Sequence, residues 1–95
     1  MKPVWSPEAI DDLVALRAYI ADDDNAAAQR IALCIIDTVE KLLSENEDIG
    51  RPGRVPGTRE LVIARTPFTV PYRLQGEVLQ ILRVLHGARR WPERF

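Results

Sequence analysis

The sequence predicts an α+β domain of order β-α-α-β-β-β, in which a helix hairpin packs on a small antiparallel sheet. Two long segments with apolar residues at helical spacing come first, and three short segments separated by turn residues follow. The 95 residues are enough for one domain, which we take to be residues 1–95. With 46% hydrophobic and 28% charged residues, the composition is that of a folded chain and argues against disorder.

The first strand and first helix are predicted from the opening residues. Lys2–Trp5 is a short candidate strand, and Trp5 is expected to pack in the core. Ser6-Pro7-Glu8 predicts a helix start, because serine caps free amides, proline suits the first position and glutamate favours the positive helix end. The helix should extend to about Asp23, with one broad apolar face formed by Ile10, Leu13, Val14, Leu16 and Ile20.

A second helix is predicted from Ala26 to Glu45. Asp22-Asp23-Asp24-Asn25 interrupts the first helix as a solvated link, and Asn25 can cap the next one. So short a link predicts an antiparallel hairpin. Cys34 is expected to be a small buried residue of this helix. The buried stripe should comprise Ala28, Ile31, Ala32, Ile35, Val39, Leu42 and Leu43.

Three strands complete the prediction. Asn46–Gly57 contains turn signals at both ends and is expected to be a loop. The strands Thr58–Arg65, Phe68–Gln75 and Glu77–Leu85 follow with short connections, which predict an antiparallel meander. Because the last of them is apolar on both faces, it should be central. Pro71 lies inside the middle strand, where it cannot donate a hydrogen bond, so we expect a bulge or one missing bond there.

Charge divides unequally between the two halves of the sequence. Residues 1–48 carry 11 acidic and 4 basic side chains, whereas residues 49–95 carry 3 acidic and 9 basic ones, all arginine. Such a split indicates an oriented surface for an acidic or nucleic-acid partner. The alternative is that the halves complement each other within one fold.

Several classes of protein are disfavoured by what the sequence lacks. Cys34 is the only cysteine, so an internal disulfide is excluded. No signal-like or membrane-spanning apolar run is visible, and we expect a cytoplasmic protein without membrane contact. No His/Cys cluster, glycine-rich phosphate loop or nucleophile elbow is present, so neither a metal nor a cofactor is expected.

Five segments stand out in order along nearly the whole chain: Trp5-Ser6-Pro7-Glu8-Ala9, Ile49-Gly50-Arg51-Pro52, Gly57-Thr58-Arg59-Glu60-Leu61, Pro71-Tyr72-Arg73-Leu74 and Ile81-Leu82-Arg83-Val84-Leu85-His86-Gly87-Ala88-Arg89. Together, in this order, they resemble the RelE/ParE family of type II toxin–antitoxin toxins. One difference is Pro71, where family members usually carry a β-branched residue.

The resemblance implies a toxin that is neutralised by a cognate antitoxin encoded adjacently. It implies contact with operator DNA only through that antitoxin. RelE-like members cut messenger RNA on the ribosome, whereas ParE-like members inhibit DNA gyrase without known catalytic side chains. A third possibility is a module that binds an antitoxin but is not toxic. Fold alone does not choose between these functions.

A ribonuclease of this kind needs proton-transfer groups and cations. His86 is the only histidine and therefore the candidate for proton transfer, and Arg83, Arg59 and Arg65 would supply positive charge. RelE-like enzymes often carry a tyrosine six residues after an arginine, but six residues after Arg89 stands Phe95, which lacks a hydroxyl. Glu60 could be a base, although a surface carboxylate paired with an arginine is the simpler interpretation. The balance favours inhibition of gyrase by binding over an enzyme.

The residues predicted to bind the target, on the arginine-rich half of the sequence, are Arg73, His86, Arg89, Arg90 and Trp91. Tryptophan and arginine often dominate protein interfaces. The structural alternatives are that His86 fixes a turn by bonding backbone and that Trp91 folds back over the sheet edge.

The antitoxin is expected to lie on apolar surface left by the helix hairpin and sheet. Leu33 and Ile36 lie off the main stripe of the second helix, although they could simply widen its buried face. The residues predicted to contact it are Leu16, Tyr19, Leu33 and Ile36.

Overall fold

The fold confirms the predicted α+β architecture in a computed structural model that describes all of residues 1–95. Two short strands were not predicted: β2 lies in the expected loop, and β6 is the separated end of the last predicted strand. Neither helix combines the length and apolar character that crossing a membrane requires. The elements are β1 (Pro3–Trp5), α1 (Pro7–Ala21), α2 (Asn25–Glu45), β2 (Arg51–Pro52), β3 (Arg59–Val62), β4 (Phe68–Gln75), β5 (Val78–Ile81) and β6 (Leu85–His86).

The strands form one sheet of order β1-β5-β4-β3-β2, with β6 also paired to β4. The meander β3-β4-β5 is antiparallel, as predicted. The sheet is nevertheless mixed, because β1 pairs with β5 in parallel. The long connection through both helices and the meander permits this parallel pairing. It places β5 between two neighbours, in the interior position expected for it.

Both helices begin at capped residues. The Ser6 hydroxyl accepts a hydrogen bond from the Ala9 N–H at 3.0 Å, and Pro7 occupies the first helical position. At α2 the cap is Asp24, one residue before the predicted Asn25, and its carboxylate accepts from the Ala27 N–H at 3.0 Å. Helix boundaries are therefore set by local side-chain bonds that the sequence makes visible.

The core lies between α2 and the inner face of the sheet, with α1 closing one side. The predicted stripe of α2 is confirmed, but that of α1 is only partly correct. Ile10 and Val14 are 49% and 64% exposed, because the row that faces the core is narrower than the set of apolar residues on that helix. Cys34 is exposed, not buried as expected. The α1 row comprises Ala9, Leu13, Leu16 and Ile20.

Pro71 leaves one hydrogen bond of the sheet unmade. Its carbonyl accepts from the Leu82 N–H at 3.0 Å, but it has no N–H to return to the Leu82 carbonyl. The Ser6 hydroxyl donates to that carbonyl instead, at 2.8 Å. The same hydroxyl caps α1, so the start of the helix is tied to the end of β5.

A bulge follows immediately. Between the pairs Tyr72↔Ile81 and Thr69↔Leu85, β4 contains two residues and the facing chain contains three. One extra residue in this position is a β-bulge, which bends the strand and redirects its side chains. Both departures expected at the proline are therefore present, and the bulge turns the chain toward the residues that follow β6.

Candidate functional site

The candidate site is centred on the 86–91 segment (His86–Trp91), where the chain leaves the sheet. The Gly87 N–H donates to the Pro67 carbonyl at 2.8 Å. The His86 carbonyl accepts both the Arg89 N–H, at 3.1 Å, and the Trp91 indole N–H, at 3.0 Å. These bonds fold the segment into a tight turn that carries two consecutive arginines on its outside.

Trp91 is folded back, as the alternative to an exposed recognition residue predicted, but its ring packs against an arginine. The Arg54 guanidinium lies 3.8 Å from the centre of the indole ring, within cation–π distance. Its Nη2 also donates to the Gly87 carbonyl at 3.3 Å. Arg54 therefore contacts the 86–91 segment at two points, and nothing in the sequence marked it as special.

His86 takes part in the turn. Its Nδ1 accepts the Ala88 N–H at 3.2 Å, so the neutral ring carries its proton on Nε2. Its ring also meets Phe68 edge to face, with centroids 5.8 Å apart. These contacts match the structural role considered for this histidine, and they leave Nε2 as the only ring nitrogen outside the turn.

Two of the arginines considered for ribonuclease chemistry are held in fold contacts. Arg83 binds the Asp12 carboxylate through Nε at 2.7 Å and Nη2 at 3.0 Å, and the Val84 N–H reaches the same carboxylate at 2.9 Å. The bond to Asp12 raises the pKa of the Arg83 guanidinium further above its ordinary range. Asp12 thus accepts a hydrogen bond from the backbone of the bulge and, because it lies on α1, connects the bulge to that helix.

Arg59 donates hydrogen bonds to the loop that follows α2. Its Nη1 donates to the Gly50 carbonyl at 2.7 Å and to the Asp48 carbonyl at 3.3 Å. Arg59 is also far from His86 along β4, since it pairs with Tyr72 whereas His86 pairs with Phe68. Four residues of strand amount to about 13 Å. The four residues considered for catalysis are therefore not brought together in one site.

The remaining predicted cations lie on the surface without an acidic partner. Arg65, Arg89 and Arg90 are exposed and make no ion pair. Arg65 sits in the β3–β4 turn with φ of 66°. Arg73 donates through Nε to the Gln80 side chain at 3.0 Å and is half-buried. The predicted target-binding residues thus include two fully presented arginines, Arg89 and Arg90, beside the folded Trp91.

Glu60 and Tyr72 are both buried, and both have structural partners. The Glu60 carboxylate is 2% exposed, so it is not the surface group that was expected, although its pairing with arginine is confirmed. The Tyr72 hydroxyl donates to the Glu47 carbonyl and accepts from the Gly50 N–H, each at 2.8 Å. Burial raises the pKa of Tyr72 above 10.0, opposed by the Gly50 bond and by Arg59.

Apolar side chains line two surface grooves near the predicted antitoxin contacts. Tyr19 is 70% exposed and borders a groove between α1 and the 86–91 segment, which Phe68 and Trp91 also line. Leu16 is 8% exposed and belongs to the core, so it forms the floor of this groove and is not a free contact residue.

A second groove runs between the two helices. Leu33 is 50% exposed and Ile36 half-buried, and the exposed Ile10 and Val14 lie opposite them. Ile10 and Val14 therefore belong to this exposed groove and not to the core, and for that reason the apolar face predicted for α1 was too broad. No group of three or more His, Cys, Asp or Glu side chains is arranged to hold a metal ion.

Comparisons with known proteins agree with this geometry. The family model described as the ParE toxin of the type II toxin–antitoxin system parDE matches residues 4–91. The Sinorhizobium fredii protein named "Putative toxin Y4kP" is 42% identical over 94% of this chain and 91% of its own length. Toxin RelE2 of Caulobacter vibrioides is 36% identical over 90% of this chain and 94% of its own length.

A solved structure gives the same result. A chain in the structure of the chromosomal ParDE toxin–antitoxin system from P. aeruginosa superposes with a TM-score of 0.75 and 32% sequence identity. The match covers 88% of this chain and 92% of the other. Family model, relatives and fold all agree, and the chain therefore belongs to the ParE toxin family of type II toxin–antitoxin systems.

Proposed function

We propose that this toxin inhibits DNA gyrase by binding it, and that a cognate antitoxin neutralises the toxin. The observation that carries the proposal is that His86 and Glu60, the side chains considered for proton transfer, and the nearby buried Tyr72 all make contacts that hold the fold together. His86 fixes a turn through Nδ1, Glu60 is enclosed by arginines, and the Tyr72 hydroxyl is buried between two backbone groups. A site without a free acid–base pair favours binding over turnover.

The proposed contact surface is the outer side of the 86–91 segment together with Arg73. Arg89 and Arg90 are exposed and unpaired, so they can meet carboxylates or phosphates on a partner without first breaking an ion pair. Trp91 beside them is half-buried and held in one orientation. Arginine and tryptophan fixed in advance are the side chains most often responsible for interface affinity.

The test is a supercoiling assay with purified gyrase and relaxed plasmid. The wild-type toxin should inhibit supercoiling, and the double variant Arg89→Ala/Arg90→Ala should require on the order of tenfold more protein or above. A matched control removes two other exposed cations, Arg30 and Lys41 on α2, and should leave inhibition unchanged. Undisturbed supercoiling with toxin in large excess over gyrase would count against the proposal.

The alternative is a RelE-like endoribonuclease that acts on the ribosome, supported by the free Nε2 of His86. It predicts codon-resolved cleavage of messenger RNA after induction, and loss of growth arrest in His86→Ala/Arg83→Ala. Growth arrest that persists in this double variant, without cleavage, favours gyrase inhibition. Healthy growth with good expression of the wild-type chain leaves only the non-toxic antitoxin-binding module.

We further propose that the antitoxin covers the apolar grooves beside α1. Tyr19 in one groove and Leu33 in the other are the most exposed large apolar residues among the predicted contacts. Tyr19→Asp and Leu33→Asp should each weaken the complex formed on co-expression, because an aspartate placed in an apolar interface loses its water. The control is Glu45→Gln at the far end of α2, and unchanged complex mass with both aspartates would contradict this placement.

A further inference from the structure

A buried carboxylate joins two arginines of the β2–β3 region. Glu60 is 2% exposed, and its Oε1 accepts from Arg51 Nη2 at 3.2 Å. Its Oε2 accepts the backbone N–H of Arg54 at 2.7 Å and lies 3.8 Å from the Arg54 Nε. A carboxylate this buried requires charged partners, so it fixes where both guanidinium groups lie.

The two arginines differ in what they contact beyond Glu60. Arg51 is 55% exposed and makes no contact with the 86–91 segment among its hydrogen bonds and ion pairs. Arg54 stacks on the Trp91 ring and donates to the Gly87 carbonyl. Of these two arginines, only Arg54 therefore connects the buried carboxylate to the segment that carries Arg89 and Arg90.

The 86–91 segment depends on such side-chain contacts because it lies beyond the sheet. β6 ends at His86, and the following residues make no strand pairing. The segment is held from within by bonds to His86 and from the sheet by the Gly87 N–H on Pro67. Arg54 supplies two further contacts, with the ring of Trp91 and with the Gly87 carbonyl.

We propose that Arg54, oriented by the buried Glu60, is a positioning residue that holds the 86–91 segment in the conformation the target recognises. The inference rests on the proposed function for the identity of the target. The contact of Arg54 with the 86–91 segment does not depend on that identity. The Arg54 side chain is 45% exposed, but the role proposed for it is exerted through its contacts with Trp91 and Gly87 and not through the target. Its effect is to remove conformations in which Arg89 and Arg90 point elsewhere, which lowers the entropy lost on binding.

Arginine has properties here that lysine lacks. A planar guanidinium can lie flat on the indole while its edge donates to a carbonyl and stays within ion-pair distance of a carboxylate. An ammonium group at position 54 would keep the charge beside Glu60 but lose the flat stacking. Arg54→Lys should therefore fold normally and position Trp91 poorly.

The experiment compares Arg54→Ala with Arg51→Ala, which removes the other arginine on the same carboxylate. Both proteins are labelled with 5-fluorotryptophan, and ¹⁹F NMR reports Trp91 separately from Trp5, whose indole N–H donates to Glu40 and which serves as an internal control. Trp91→Phe assigns the two resonances. Inhibition of gyrase and growth arrest on induction are measured with the same variants.

In Arg54→Ala we expect the Trp91 resonance to move toward that of an exposed, mobile indole, while the Trp5 resonance stays in place. Potency against gyrase should fall on the order of tenfold, from loss of one cation–π contact and one charged hydrogen bond. Arg51→Ala should keep the wild-type Trp91 signal and lose at most about threefold, as for an exposed ion pair. Arg54→Lys should lie between the two.

The proposal is overturned if the Trp91 resonance responds equally to Arg51→Ala and Arg54→Ala, because Glu60 would then only stabilise the fold. It is also overturned if Trp91 becomes mobile in Arg54→Ala without a greater loss of potency than in Arg51→Ala. Should Arg54→Ala fail to fold, Arg54→Lys decides by the same criteria.

Failure of the proposed function would look different. If the wild-type chain arrests growth without inhibiting gyrase, the gyrase assignment is wrong. The variants are then compared by the dose of toxin needed for growth arrest instead of by the supercoiling assay. A wild-type chain that neither inhibits gyrase nor arrests growth overturns both proposals.

Discussion

Replacing Tyr72 with phenylalanine removes one oxygen atom and should cost this protein a large part of its stability. The hydroxyl links the loop after α2 to β4 at the centre of the sheet, since it donates to Glu47 and accepts from Gly50, each at 2.8 Å. The side chain is 1% exposed, so water cannot readily replace the missing atom. Phenylalanine keeps the ring and its packing, which isolates the effect of the two hydrogen bonds.

The expected loss follows from those two bonds. Each contributes about 0.5–1 kcal/mol, and a buried N–H left without an acceptor adds roughly 1–2 kcal/mol. Tyr72→Phe should therefore lower the free energy of unfolding by about 2–4 kcal/mol, measured by urea denaturation. For a domain of this size, such a loss lowers Tm by about 10–20 °C.

The matched control is Tyr19→Phe. Tyr19 is 70% exposed and its hydroxyl makes no hydrogen bond within the protein, so its loss should change stability by less than about 0.5 kcal/mol. If the two variants unfold within about 1 kcal/mol of each other, the account of Tyr72 is refuted, because the buried bonds would then contribute no more than an exposed hydroxyl.

The pH dependence gives a second test of the same residue. Burial, the largest influence, raises the pKa of Tyr72 in the folded protein above 10.0, so the folded state holds this proton more tightly than the unfolded state. The stability that this group contributes is fully present below pH 10.0 and is lost as pH rises through the folded-state value. The stability difference between wild type and Tyr72→Phe should accordingly be constant at neutral pH and shrink above pH 10.0.

Two further substitutions test how α1 is joined to the sheet. Ser6→Ala removes both the helix cap and the donor to the Leu82 carbonyl and should cost about 2 kcal/mol, whereas Ser6→Thr, which keeps a hydroxyl, should recover part of it; equal losses in both variants would contradict this dual role. Asp12→Asn weakens the bonds to Arg83 and should cost about 1–3 kcal/mol in urea denaturation, against no measurable change for the exposed neighbour Asp11→Asn. Indistinguishable results for the two aspartates would mean that the bulge needs no anchor.

Local patterns predicted the elements well, because caps, turn residues and helical periodicity act over a few neighbouring residues. Ser6 and the proline after it placed the start of α1, and Pro71 predicted the irregular stretch of the sheet. The parallel pairing of β1 with β5 was missed, since nothing local distinguishes a parallel from an antiparallel partner in a strand of three residues. Leu16 was expected at an interface because periodicity shows that a residue is apolar, not what covers it.

The sequence predicted which segment forms the candidate site better than it predicted how the residues of that segment are arranged. The concentration of arginine in the second half of the sequence and the His86–Trp91 run identified the segment, but not the contacts that shape it. Arg54, Asp12 and Glu60 each act on residues that are 6 to 72 positions away, through bonds that depend on the completed fold. No spacing rule within the sequence would have paired Arg54 with Trp91.

The attachment of α1 to the end of β5 has a consequence for how the chain folds. β1 pairs with residues 79–81, the Ser6 hydroxyl bonds Leu82 at a separation of 76 residues, and Asp12 bonds Arg83 at a separation of 71. Contacts between such distant positions close late and slow folding relative to the local helix hairpin. During synthesis, the helices can form early but the sheet cannot receive its first strand until residue 81 is available. A ribosome must therefore release the chain through β6 before the surface around the 86–91 segment can form, so this surface is among the last parts of the domain to take shape.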